Sequence, residues 1–233
     1  LEGDLATLVY GTGGCSPYLK TLVEKERVWL PDALQDPEAA IETLFQELTQ
    51  VAPDQLGAAL RMGKRRVALL TGLADIAGVW PLETVTGVLT DFADLASDLA
   101  LKAAIAHEIR RKKLPGQTED DVATAGGMVS IAMGKMGAHE LNYSSDIDLI
   151  CLFDETRFDP SDYHDARASF IRATRKMAAM LNDLTGDGYV FRTDLRLRPD
   201  PAVTPVCLAM EAAERYYESL GRTWERAAYI KAR

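Results

Sequence analysis

Apolar residues recur at helical spacing through the first half of the chain, then give way to short, nearly continuous apolar runs. Ser16-Pro17 sets a good N-cap before a proline at the first helical position, and Leu19, Leu22 and Val23 follow on one face. Asp36-Pro37 repeats the device ahead of Ile41, Leu44, Phe45 and Leu48, a single apolar stripe. Pro53-Asp54 opens a third helix carrying Leu56, Leu60, Val67 and Leu70, which fades near Gly72–Gly78. Pro81 opens a fourth that runs to Lys113 through Leu82, Val85, Val88, Leu89, Phe92, Leu95, Leu99, Ala103 and Ile105. Four amphipathic helices predict an N-terminal helical bundle over residues 1–120.

Leu114–Ala125 is polar, with Pro115 and Gly116, and reads as a linker. After it the pattern changes. Gly127–Met133 is a nearly continuous apolar run ending in Gly134, the signature of a buried strand. Ser145–Phe153 is a second strand, rich in branched residues. Ser161–Leu184 returns to helix and is stopped by Gly186, and Tyr189–Leu197 is a third strand ended by Pro199. A last helix from about Leu208 has Glu211, Arg215, Glu218, Arg222 and Arg226 as polar positions and meets no stop signal before Arg233, so the chain is expected to be cut from something longer. The fold class expected is α+β, mostly helical, with a second domain over residues 121–233. There is no internal repeat.

Composition narrows the field without naming a function. The hydrophobic share of 47% and charged share of 26% are those of a soluble globular protein. Lys and Arg number 26 against 35 Asp and Glu, a net charge of −9, which excludes a protein whose main task is gripping nucleic acid. No apolar run reaches the roughly 18–20 residues of a membrane span, and no secretion leader is visible. Cys15, Cys151 and Cys207 are odd in number, far apart and without a CxxC, which fits a reducing cytoplasm and no thiolate metal site.

Candidate chemistry lies on two of the expected strands. Residues i and i+2 of a strand share a face about 6.6 Å apart, so Asp146 and Asp148 project together while Ile147, Leu149, Cys151 and Phe153 face a core. A lone carboxylate at a strand end is commonly a solvated cap. Two on one face repel unless a cation bridges them. On the third strand, alternation puts Arg192, Asp194, Arg196 and Arg198 on one face and Phe191, Thr193, Leu195 and Leu197 on the other. That face is either an exposed edge with surface ion pairs or the wall of a charged site. In the second case Asp194 completes a two-metal cluster with Asp146 and Asp148, and the arginines suit a polyphosphate. The intervening turn, Gly134 to Ser145, has glycines at 134 and 137 for close backbone approach and Lys135 as a positive charge. It is neither a Walker A loop nor a dinucleotide fingerprint.

Gly134-Lys135 followed by Asp146-Ile147-Asp148-Leu149 resembles the nucleotidyltransferase superfamily typified by DNA polymerase beta, with Lys135 standing where many members have Ser. The string Met133 to Ile150, with Gly188–Pro199 and Gly221–Arg233, is similar to one family in particular, the bifunctional glutamine synthetase adenylyltransferase/adenylyl-removing enzymes. The likeness covers Met128–Arg233 and extends more loosely into the first half, at Ser16-Pro17-Tyr18-Leu19. It implies a polymerase beta-like α/β domain with a small mixed sheet. Glu140-Leu141-Asn142, Ser144-Ser145-Asp146 and Gly221-Arg222-Thr223-Trp224-Glu225-Arg226 are closer to the N-terminal, deadenylylating half of that family. The implied reaction is phosphorolysis of adenylyl-tyrosine on glutamine synthetase, giving ADP, within nitrogen metabolism. The implied metals are two Mg2+ (or Mn2+) ions on Asp146, Asp148 and Asp194. Gly134, Lys135, Ser145, Arg192, Arg196 and Arg198 would hold phosphate or the nucleotide (ADP or ATP), and a PII-type signal protein is an implied partner. ATP-dependent adenylylation by the same fold and a catalytically silent regulatory module are the alternatives. The remaining candidates carry less: His107, His139 and His164 are scattered, Trp29, Trp80 and Trp224 suit packing, and Arg110-Arg111-Lys112-Lys113 suits a helix C-terminus or an acidic partner.

Overall fold

A proline behind an oxygen-bearing N-cap starts two helices where the sequence predicts them. In the computed structural model, which describes residues 2–233, the Ser16 hydroxyl accepts the Leu19 amide at 3.2 Å and the Asp36 carboxylate accepts the Ala39 amide at 3.0 Å. The chain forms α1 (Gly3–Cys15), α2 (Pro17–Lys25), a single turn α3 (Leu30–Ala33), α4 (Pro37–Thr49), α5 (Leu56–Ile76) and α6 (Leu82–Arg110). The glycine-bearing α1 carried no periodic signal and was not foreseen as a separate element. The 114–125 linker is not featureless: Thr118 and Asp121 form a reciprocal cap on a 3-10 stretch that begins at Glu119 and is kinked at Thr124–Gly126, where Ala125 and Gly126 are left-handed. There follow β1 (Met128–Ala132), the one-turn α7 (Gly134–Gly137), β2 (Ile147–Phe153), α8 (Tyr163–Asn182), β3 (Thr193–Asp194), β4 (Cys207–Ala209), α9 (Met210–Ser219) and α10 (Thr223–Ala228).

The chain divides into two compact units, residues 1–92 with 140–143, and residues 93–139 with 144–233. The division falls inside α6. In the first unit Leu19, Leu22, Leu30, Leu69 and Leu73 form a buried cluster, with Leu8 and Val9 of α1 packed against it. Glu26, 5% exposed, holds Arg65 and Arg66 at 3.1 and 2.9 Å, and Arg66 stacks over Trp29.

In the second unit β2 is the centre of a mixed four-stranded sheet, so the molecule is α+β as its pattern implies. β1 pairs antiparallel along one edge of β2, from Met128↔Phe153 to Ala132↔Leu149. The other edge is shared by two short parallel strands, β3 at Ile147↔Thr193 and Asp148↔Asp194, and β4 from Cys151↔Cys207 to Phe153↔Ala209. One sheet face carries Ile150, Leu152 and Leu208 into a cluster with Met133, Ala213, Tyr217 and Tyr229. From the other, Phe153 stacks on Phe170 of α8 at 4.7 Å between ring centroids. Cys151 and Cys207 are both fully buried register partners.

Two expectations need correction. The third strand, predicted over Tyr189–Leu197, is paired only at Thr193 and Asp194, because the chain turns at Leu195 rather than continuing along β2. The last helix, predicted from about Leu208 to Arg233, is preceded by β4 and broken between Ser219 and Thr223. There the Gly221 amide turns back to the Tyr216 carbonyl at 2.7 Å, and a Cβ at Gly221 would press on the Tyr217 backbone.

Candidate functional site

Strand pairing alone brings two of the three predicted carboxylates together. Asp148 on β2 and Asp194 on β3 are register partners, and neighbouring strands lie about 4.8 Å apart. Asp146 sits one residue before β2, on the far side of the buried Ile147, whose amide donates to the Arg192 carbonyl at 2.9 Å and ties the strand start to the segment carrying Arg192. Asp148 is half-buried. Burial pushes its carboxyl above the usual carboxylate range, and the charges of Asp194 and Asp146 push the same way, opposed by Arg196. The three acids therefore form one electrostatic group.

The glycine turn meets this group directly. The Met133 amide donates to the Asp148 carbonyl at 2.9 Å, continuing the β1–β2 ladder to the foot of α7. Gly134 is left-handed (φ +57°), and a Cβ there would lie 3.1 Å from Asp148 Oδ2, so only glycine lets the backbone come this close to the carboxylate. At Gly137 a Cβ would collide with the carbonyls of Ala132 and Lys231. Lys135 is exposed on α7 and Ser145 partly buried beside Asp146. Ser144 takes a left-handed conformation (φ +52°), uncommon and strained for a residue other than glycine, two residues before Asp146. Its carbonyl accepts Arg192 Nη2 at 3.0 Å.

Arginines hold two of the acids. Arg192 pairs with Asp146, both side chains about half exposed. Arg196 donates Nε to both oxygens of Asp194 at 3.0 and 2.9 Å and Nη2 to Oδ2 at 2.5 Å, and its backbone amide also reaches Oδ1 at 2.8 Å. The Arg196 side chain hydrogen bond holds the Asp194 carboxyl below the usual carboxylate range, and the Arg196 side chain is 83% exposed. The third arginine departs from the predicted face: Arg198 donates to the carbonyls of Leu195, Pro201 and Thr204. The sequence marks Ser144 only as part of the Ser144-Ser145-Asp146 string and carries no signal for Thr204, whose hydroxyl and carbonyl are both drawn into the turn after β3.

Three carboxylates are the hard oxygen donors that a divalent cation prefers, and the mutual repulsion felt at Asp148 is what such an ion relieves. As arranged, Arg192 and Arg196 occupy Asp146 and Asp194, and among the described residues no three His, Cys, Asp or Glu side chains close on one point as ligands. The donor types suit a divalent cation, and in this arrangement the guanidinium groups of Arg192 and Arg196 stand on two of the three carboxylates.

Residues 11–233 match the family model for glutamate-ammonia ligase adenylyltransferase. The chain is 43% identical over 238 residues to a Bradyrhizobium sp. (strain BTAi1) protein named bifunctional glutamine synthetase adenylyltransferase/adenylyl-removing enzyme, covering 100% of this chain and 24% of that protein. A protein of the same name from Bradyrhizobium diazoefficiens is 44% identical over 97% of this chain and 23% of its own length. One from Caulobacter vibrioides is 43% identical over 94% of this chain and 23% of its own length. The chain thus spans about a quarter of the length of the relatives it matches. No helix among the described residues is long and apolar enough to cross a membrane.

Proposed function

The chain belongs to the glutamate-ammonia ligase adenylyltransferase family, and from that premise we propose that it is the deadenylylating catalytic unit of a bifunctional nucleotidyltransferase. Its substrate is the adenylyl-tyrosine of glutamine synthetase, and its co-substrate is inorganic phosphate. One oxygen of phosphate attacks the AMP phosphorus, the bond to the tyrosyl oxygen breaks, and the tyrosinate takes up a proton, leaving ADP and free tyrosine. The observation that carries this reading is the grouping of Asp146, Asp148 and Asp194 with Arg192 and Arg196 beside the Gly134 turn.

Asp146, Asp148 and Asp194 would hold Mg2+ or Mn2+, which supplies charge neutralisation at the phosphorus and the departing oxygen. The protein groups do the remaining work. Gly134 lets the turn backbone approach the phosphates, and Lys135 and Ser145 flank it with a charge and a hydroxyl. Arg192 and Arg196, released from Asp146 and Asp194, offer planar forks to the incoming phosphate. A PII-type regulator belongs to the same reading through family likeness, and no residue is assigned to it.

Incubation with adenylylated glutamine synthetase, Mg2+ and phosphate tests the direction. ADP released in proportion to restored tyrosine supports it. AMP transfer from ATP onto unmodified glutamine synthetase, without phosphate-dependent release, reverses it in favour of adenylylation. No turnover and no nucleotide binding would make the chain a silent module.

A further inference from the structure

The segment after β3 is closed on one side chain. Arg198 Nη1 donates to the Leu195 carbonyl at 2.7 Å, Nη2 to those of Pro201 and Thr204 at 2.9 and 3.1 Å, and Nε to Thr204 at 3.3 Å. All three guanidinium nitrogens are thereby engaged on carbonyl oxygens. The Thr204 hydroxyl donates to the carbonyls of Pro199 and Asp200 at 2.5 and 2.9 Å, and Asp200 itself is left-handed (φ +38°). Arg198 is partly buried, whereas Arg192 and Arg196 are exposed.

The Leu195 carbonyl and the Arg196 amide belong to one peptide plane. Arg198 grips its oxygen, and its N–H donates to Asp194 Oδ1 at 2.8 Å. Rotation of that plane would lose both bonds, so the grip on the carbonyl fixes the direction in which the amide holds the Asp194 carboxylate. We propose that Arg198 is a positioning residue: its guanidinium, spent on the turn carbonyls, aims the Leu195–Arg196 peptide and through it Asp194 at the Asp146–Asp148 group, and it takes no phosphate. The kinetic arm of the test rests on the deadenylylation reading; the exchange arm does not.

Arg198→Gln and Arg198→Lys are compared with the wild type by amide exchange at Arg196, by Mn2+ titration in electron paramagnetic resonance, and by kcat and phosphate KM. In Arg198→Gln, Arg196 amide exchange rises about tenfold. Mn2+ affinity and kcat each fall about tenfold, the usual cost of losing a group that orients a ligand. The phosphate KM stays within about twofold, since uniform phosphate binding is untouched. Arg198→Lys, with one compact donor head, lies between. Unchanged Arg196 exchange overturns the proposal whatever the kinetics. So does a phosphate KM raised about tenfold with kcat and Mn2+ affinity unchanged, which would make Arg198 a phosphate ligand. A wild type that releases no ADP defeats the functional reading, while amide exchange still decides the role of Arg198.

Discussion

Glu26 and Asp194 both hold arginine, to opposite ends. In the helical unit Glu26 is 5% exposed, and its two partners, Arg65 and Arg66, are 19% exposed, so the cluster is sealed and each oxygen is committed to the fold. In the sheet unit Asp146 and Asp194 are held by arginines that are 55% and 83% exposed. Breaking a sealed pair strands a charge away from water, whereas an exposed pair loses little because water replaces the partner. Identical chemistry is therefore structural in one place and exchangeable in the other, and burial decides which.

The sharpest way to break this comparison is to exchange the consequences. Asp148→Asn should lower phosphate-dependent ADP release by on the order of a thousandfold, measured as kcat, while leaving the fold intact. The same change should stabilise the metal-free protein slightly, seen as a higher urea midpoint at neutral pH, because solvent screens most of the effect at a half-exposed carboxyl. The sign follows from the raised Asp148 carboxyl: its ionised form is disfavoured in the fold, so wild-type stability from this group falls as pH rises through the carboxylate range, and the amide removes that loss. Glu26→Ala should do the reverse, costing about 3 kcal/mol in stability because Arg65 and Arg66 lose their buried partner, with kcat unchanged once folded. A Glu26 variant as stable as wild type would show that the sealed cluster is no more binding than the exposed one. The smallest effect is a control on the helical unit: Asp36→Ala loses the cap on the Ala39 amide and should cost about 1 kcal/mol, read as a lower melting temperature with no kinetic change.

The sequence was legible where a local rule acts alone. Ser16-Pro17 and Asp36-Pro37 start helices because cap and proline need only their own residues, and the branched run Ile147–Phe153 forms the strand that carries Asp148, with Asp146 one residue before it. It was less legible where a distant group decides. The alternation from Arg192 to Arg198 implies a long strand, but pairing stops at Asp194 and Arg198 folds the chain back on its own carbonyls. Cys207–Ala209 is too short to announce a strand and exists because β2 offers it an edge. The glycines of α1 hide a helix that Leu8 and Val9 hold in place by packing.

The register pair on β2 and β4 has a consequence of its own. Burial pushes the Cys151 thiol up to about 11 and raises Cys207 as well, so neither forms an appreciable thiolate at neutral pH, while Cys15 is exposed on α1. An electrophile added to the native protein meets one exposed sulfur in the helical unit and two buried ones in the sheet unit. Modification of the latter pair waits on opening of the sheet, which makes the β2–β4 pairing a built-in clock for the lifetime of the sheet unit.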